Sequence, residues 1–299
     1  MGTSQSSGGP GGGVPMVPPW TPPPPPADTD GGTPGAGDDG ETPADAGNPE
    51  ISTPAPPASG TASPSPPPPA PSLVAPSGRF KGARLSLGDY ARTGDRSDLQ
   101  RGLGRYVGSG YGGSRSAVRR FGGTAATASN LGNALASVAA GQPAAPGSAL
   151  DPTLLAGRAA DEIMDAVVEA VRPVDGSQDA EAERASIRDA LTELLTQFPD
   201  ADLLNLNPDQ RSLVIERFAA IDVFRRFELD LGKTIVEKAP TAAAALARLK
   251  QARDYIKEAV AASFRRLRET GRTLTAGRIN QVVGDALRGT FEVFEGYAQ

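Results

Sequence analysis

The stretch Asn207-Pro-Asp-Gln-Arg-Ser-Leu-Val-Ile-Glu-Arg-Phe-Ala-Ala-Ile-Asp-Val-Phe224 contains both a helix start signal and an apolar stripe. Asn207 is a good N-cap, Pro208 fits the first turn because its missing N–H has no helical partner there, and Gln210 stands where a capping box needs it. Val214, Phe218, Ile221 and Phe224 then recur at three- and four-residue spacing, so one face of the predicted helix is apolar. The pattern repeats on both sides. Upstream, Ile163, Val167 and Val171 run until Pro173, and Ile187, Leu191, Leu194 and Phe198 run until Pro199. Downstream, Thr241 opens the longest candidate, with Leu246, Leu249, Ile256, Val260, Phe264 and Leu267 in its stripe. A last helix carries Ile279, Val283, Leu287, Phe291 and Phe294, with Thr275 as its expected cap. Five amphipathic helices over residues 151–299 can enclose one core, so the fold class is all-α with a C-terminal bundle of about five helices.

Moving towards the N-terminus, residues 124–150 read as a small-residue helix, Thr124 to Ala140, followed by the linker Gly141-Gln-Pro-Ala-Ala-Pro-Gly147. Residues 79–123 form a basic segment with ten Lys and Arg against three Asp, a balance of +7. Two short helices are expected in it, Asp98 to Val107 and Ser114 to Phe121, around a flexible glycine-rich joint. Its interleaved cations and aromatics, Arg79, Phe80, Arg84, Arg105, Tyr106, Arg119 and Arg120, suit docking on an acidic protein surface, with nucleic-acid contact as the second reading. Residues 1–78 hold 22 Pro and 14 Gly with seven acids and no Lys or Arg, a composition that cannot offset its ordering entropy and predicts a disordered tail. The remaining 124–299 carry −5, so the net −5 of the chain hides three segments of different sign.

This composition excludes whole chemistries. The chain has no Cys and no His, which removes disulfides, thiol nucleophiles, the commonest general base and the commonest metal ligands. Two motifs mislead. Leu231-Gly-Lys-Thr-Ile235 resembles the end of a phosphate-binding loop, but Phe227 stands where its other glycine belongs. Gly108-Ser-Gly-Tyr-Gly-Gly113 satisfies G-x-G-x-x-G without the preceding strand that gives the fingerprint meaning. The acids Asp161, Glu162 and Asp165 have the spacing of a solvated helix face. A protein without catalytic activity is therefore expected, with no metal and no cofactor in this chain. No run approaches the ~18 apolar residues of a membrane span and no secretory signal opens the chain, so a cytoplasmic protein without membrane contact is expected.

Two features stand out in the tail. Val14-Pro-Met-Val-Pro-Pro-Trp20 concentrates the only tryptophan with apolar neighbours, the residue type most suited to anchoring in an interface. The opening Met1-Gly-Thr-Ser4 favours removal of Met1, which would expose the α-amine of Gly2 as an unhindered nucleophile with an ordinary pKa of about 8. Ser6 also completes a myristoylation pattern, which leaves a lipid-anchored scaffold as a third reading. A single acyl chain anchors weakly, and this acidic tail adds no basic patch.

Met1-Gly-Thr-Ser4, the Gly-Gly-Pro-Gly-Gly-Gly13 run, Val17-Pro-Pro-Trp20, Arg79-Phe-Lys-Gly-Ala-Arg84, Gly104-Arg-Tyr-Val107, Gly112-Gly-Ser114 and Leu155-Ala-Gly-Arg158 resemble, in that order, the QatB family of bacterial anti-phage Qat systems. The resemblance spans most of the chain except the proline-rich insert, roughly residues 27–78. It implies a non-enzymatic partner of QatC, a QueC-like enzyme, in a system that also holds an ATPase and a TatD-like nuclease. It further implies Gly2 as acceptor of a deazaguanine, Thr3, Ser4 and Trp20 as residues gripped by the enzyme, and ATP and a deazapurine substrate as requirements of that partner. An adaptor that grips nucleic acid through residues 79–123 is the alternative.

Overall fold

The computed structural model describes residues 78–275 and 277–298, and every regular element among them is a helix. In chain order these are α1 (Lys81–Thr93), α2 (Arg96–Arg105), α3 (Ser114–Arg120), α4 (Gly122–Ala139), the single turn α5 (Pro152–Leu155), α6 (Ala160–Val171), α7 (Gln178–Gln197), α8 (Pro208–Phe227), α9 (Lys233–Lys238), α10 (Ala242–Glu269) and α11 (Ile279–Gly296). Wider π-helical turns at Tyr106–Gly110 and Glu228–Gly232 follow α2 and α8.

The capping box that opens α8 forms as read: Gln210 N–H donates to Asn207 Oδ1 at 2.9 Å, and Asn207 N–H donates to Gln210 Oε1 at 3.0 Å. Its buried face is wider than the predicted stripe. Residues 218–224 are all buried, along with Val214, Ile215, Glu216 and Phe227, because α8 packs against α4, α7 and α10 at once. The proline stops hold: α6 ends at Val171 and α7 at Gln197. Thr241 caps α10 through a 3.1 Å bond from Ala244 N–H. Thr275 does not cap α11. That helix starts three residues later, with Arg278 at the cap position and no side-chain cap bond.

The largest departure from the sequence reading lies in the basic segment. Helix α1 was not expected, because Gly82, Ser86 and Gly88 interrupt the apolar period of Ala83, Leu87 and Ala91. In the fold those small residues let α1 lie close against α2 and α9, and Ser86 and Gly88 are themselves buried. Nor is the glycine-rich stretch an open joint. Val107 and Gly110 are buried in the π turn, and Gly113 N–H closes onto Val107 O at 3.0 Å. A Cβ on Gly104 would lie 2.5 Å from the backbone nitrogen of Ala298, so glycine there permits α2 to meet the end of α11. One apolar core consequently runs from Phe80 to Phe294 and includes Leu150 at the end of the expected linker.

A buried ionic cluster joins α4, α7 and α8. Fully buried Asp222 accepts from Thr124 Oγ1 at 2.6 Å and from Arg226 Nε at 3.2 Å. Glu183, 3 % exposed, accepts from Thr127 Oγ1 at 2.9 Å, Arg172 Nε at 2.8 Å and Arg226 Nη2 at 2.7 Å. Burial raises the Asp222 carboxyl above its ordinary value, although Arg226 and Thr124 oppose that shift, and its Oδ1 has no hydrogen-bond partner among the described residues.

Candidate functional site

The first described residues open onto the site. Lys81 N–H closes a turn on Gly78 O at 2.8 Å, which directs Arg79 outward and Phe80 inward. Phe80 is 5 % exposed and packs against Tyr106 at 5.3 Å and Tyr111 at 5.6 Å between ring centroids. Gly110 makes this possible, since a Cβ there would lie 2.5 Å from the Phe80 ring. The Arg79 guanidinium covers the cluster, 4.3 Å from the Phe80 centroid and 5.4 Å from that of Tyr111.

Asp230, in the second π turn, ties the aromatics to α8. Its Oδ2 accepts from Tyr106 Oη at 2.9 Å and from Tyr111 Oη at 2.8 Å, while Oδ1 faces Arg79 Nη2 at 3.8 Å. Burial pushes both phenols well up; the Tyr111 phenol and then the Asp230 carboxylate add to the rise at Tyr106, and Asp230 adds to it at Tyr111. They remain protonated throughout the physiological range and so serve as donors, never as bases. Arg120 joins Arg79, Tyr111, Asp179, Arg226 and Asp230 around a polar cleft of about 200 Å³.

The arginines divide by role. Arg84, Arg115, Arg119 and Arg120 are exposed and make no ion pair among the described residues; Arg119 Nη2 donates only to Ser116 Oγ at 3.1 Å. Arg105 points inward along α1, donating to Ser86 Oγ at 2.9 Å and Gly82 O at 3.4 Å, so it braces α2 on α1. Phe80 and Tyr106, named from sequence as docking residues, have their rings in the core, where they position Arg79. Tyr111 and Asp230 escaped the sequence reading. Tyr111 lay inside what looked like a plain glycine run, and Asp230 inside the broken phosphate-loop motif, more than a hundred residues away. Gly2, Thr3, Ser4 and Trp20 lie outside the described residues.

The decoy motifs find no nucleotide-binding setting. Gly108–Gly113 follows a helix and contains two glycines at positive φ, Gly112 at 78° and Gly113 at 99°. Gly232-Lys-Thr lies inside a continuous helical run from Pro208 to Lys238. Asp161, Glu162 and Asp165 are exposed, with Asp165 and Asp161 facing Arg188 and Glu162 facing Arg158. Among the described residues no three acidic side chains gather as metal ligands, and no helix is long and apolar enough to cross a membrane.

Arg84, Arg115, Arg119 and Arg120 thus turn their guanidiniums to solvent, while the hydroxyls of Tyr106 and Tyr111 are engaged by Asp230. Residues 112–294 match the family described as QatB, Qat anti-phage system associated protein. Of the resembling fragments, Gly112–Ser114 and Leu155–Arg158 fall within that match, whereas 79–84 and 104–107 precede it. No curated protein and no solved structure matches the chain.

Proposed function

The chain belongs to the QatB family and so to a Qat anti-phage defence system, and from this premise we propose that it is a non-catalytic component that docks a QueC-like partner and presents Gly2 to it. The observation that carries the docking half is that Arg84, Arg115, Arg119 and Arg120 make no ion pair among the described residues and are held outward by helices whose other faces are in the core. Four guanidiniums without carboxylates among the described residues, where the other cations are mostly paired, suit a partner that brings its own acids.

The chemistry at Gly2 would be shared between two proteins. This chain supplies the nucleophilic amine, and the partner supplies ATP-dependent activation of a deazapurine; Thr3, Ser4 and Trp20 would be gripped by the partner. Docking of the helical domain raises the local concentration of the amine at the partner's active site without requiring tight binding of the tail alone. The system's ATPase and TatD-like nuclease are further candidate partners. Intact mass spectrometry of the protein, purified with and without its neighbouring genes, tests the reading. A mass increase on Gly2 that needs the QueC-like gene and disappears in Gly2→Trp supports it; an unchanged mass in every background overturns it.

The same arginines also favour a second reading, an adaptor that grips nucleic-acid phosphates. Retention on DNA that falls steeply with salt and is lost in Arg119→Glu/Arg120→Glu favours the adaptor, whereas co-purification with the QueC-like protein, lost in the same variant, favours the first reading.

A further inference from the structure

Three cations meet where α8 packs against α7 and α10. Arg253 and Lys257 stand one turn apart on α10 and Arg217 lies in the middle of α8. Glu193 of α7 is the carboxylate they share. Its Oε1 accepts from Lys257 Nζ at 2.5 Å and from Arg253 Nη2 at 3.2 Å, and its Oε2 faces Arg217 Nε at 3.7 Å. The four side chains are between 17 % and 37 % exposed, so solvent reaches the cluster while its charges are screened less than those of an open surface.

One carboxylate does not balance three cations. Arg217, Arg253 and Lys257 form no ion pair with any other acid among the described residues, so three positive charges on one negative leave an excess of two. The acids nearest in helical register are held elsewhere. Asp189, four residues before Glu193, pairs with Arg225 at 2.6 Å; Asp254, three residues before Lys257, pairs with Lys250 at 2.7 Å; and Glu216, next to Arg217, pairs with Arg268 at 2.6 Å. Donors are in excess as well. The Arg217 guanidinium makes no hydrogen bond among the described residues, because 3.7 Å is beyond reach, and Arg253 and Lys257 each give a single one, to Glu193. Joining α7 to α10 needs one such pair; the further cations add mutual repulsion that only another anion relieves.

A phosphate monoester supplies the complement. At neutral pH it carries about −1.5 to −2 charges and three strong acceptor oxygens, so it cancels the excess and can take hydrogen bonds from two guanidiniums and an ammonium together. Arginine forks meet phosphate oxygens in pairs, and lysine adds a point charge. A carboxylate or a phosphodiester brings a single charge and leaves the second cation uncompensated. Glu193 shows that the three cations already converge on one oxyanion, so little ordering is left to be done on binding. Its own charge opposes an incoming anion and so sets the affinity lower than the cations alone would give.

We propose that Arg217, Arg253 and Lys257, gathered by Glu193, form a binding site for a phosphate monoester, either the free ion or the phosphate of a nucleotide. The site is built on α7, α8 and α10, not on α1 and α3 where the exposed arginines stand, and it is independent of any chemistry at Gly2.

Isothermal titration calorimetry of the full chain with inorganic phosphate, in chloride at matched ionic strength, reads the site. Saturable binding of one phosphate per chain is expected. Lys257→Gln and Arg253→Gln should each weaken it about tenfold or more, as for loss of a hydrogen bond to a charged group. Glu193→Gln, which removes the resident negative charge, should tighten it, an effect that a purely structural role of the cluster would not produce. Arg119→Ala/Arg120→Ala should leave it unchanged. AMP carries a monoester and cyclic AMP a singly charged diester, so AMP should compete with phosphate and cyclic AMP should bind more weakly. Tighter binding of AMP than of inorganic phosphate identifies a nucleotide as the source and equal affinity the free ion; both outcomes support the site. Far-UV circular dichroism checks that each variant retains its helices. Absence of saturable binding by either ligand overturns the proposal. So does unchanged affinity in folded Lys257→Gln and Arg253→Gln, or cyclic AMP binding as tightly as AMP.

Discussion

The cations of the N-terminal helices and those of the rest of the domain behave differently. Of the ten Lys and Arg between residues 79 and 123, three form ion pairs among the described residues, Arg79, Arg92 and Arg101; of the twenty between 124 and 299, fifteen do. Yet both regions share one apolar core. Burial of apolar side chains sets where the helices go, and it leaves the pairing of surface charge free to serve another purpose. In α6–α11 pairing is spent within the molecule; on α1 and α3 the guanidiniums face solvent.

The strongest test of this contrast is at Arg226, which serves Glu183 and Asp222 together in the interior. Replacing it by alanine leaves buried Asp222 without a cation and Glu183 with Arg172 alone, and urea denaturation should show a loss of about 3–5 kcal/mol, the range for breaking a buried ion pair from one side. Next is Gly104→Ala. Its new Cβ meets backbone at the end of α11, so a loss of about 1–3 kcal/mol is expected, as for overpacking elsewhere. A neutral result would mean that α2 is an appendage rather than part of the shared core.

Asp222 adds a pH dependence of defined sign. Its folded-state pKa is raised, so the folded chain holds this proton more tightly than the unfolded chain, and the contribution to stability falls as pH climbs through and above the ordinary carboxylate range. Asp222→Asn removes that fall. The difference between variant and wild type should move in the variant's favour from about pH 4 to about pH 8, where an ordinary aspartate has finished titrating. At Asn207, alanine removes the capping box that opens α8 and should cost about 1 kcal/mol. The smallest expected change is at Arg119 and Arg120, where alanine should alter stability by no more than about 0.5 kcal/mol while weakening capture of the partner. A large loss of stability there would break the contrast between paired and unpaired cations.

Where apolar period and punctuation agreed, the helices were legible in the sequence: Pro173 and Pro199 ended α6 and α7, Asn207 and Thr241 opened α8 and α10. Helix α1 was not legible, because glycine and serine at its contact surface carry no hydrophobic signal even though they permit the closest packing. The site was half legible. Of the residues named from interleaved cations and aromatics, Arg84, Arg119 and Arg120 are exposed and Arg79 is half-buried over Phe80 and Tyr111, whereas Phe80, Arg105 and Tyr106 turn inward.

Charge segregation, the helical periods and the absence of Cys and His are properties of residue order and composition, and they determined an all-α domain and narrowed the chemistry open to it. Tertiary structure alone decided that the basic segment shares the core and that Asp230 meets Tyr106 and Tyr111 across more than a hundred residues. Local sequence encodes which face of a helix is apolar; which distant helix that face meets depends on side-chain shapes fitting together at close range, and no periodicity records that.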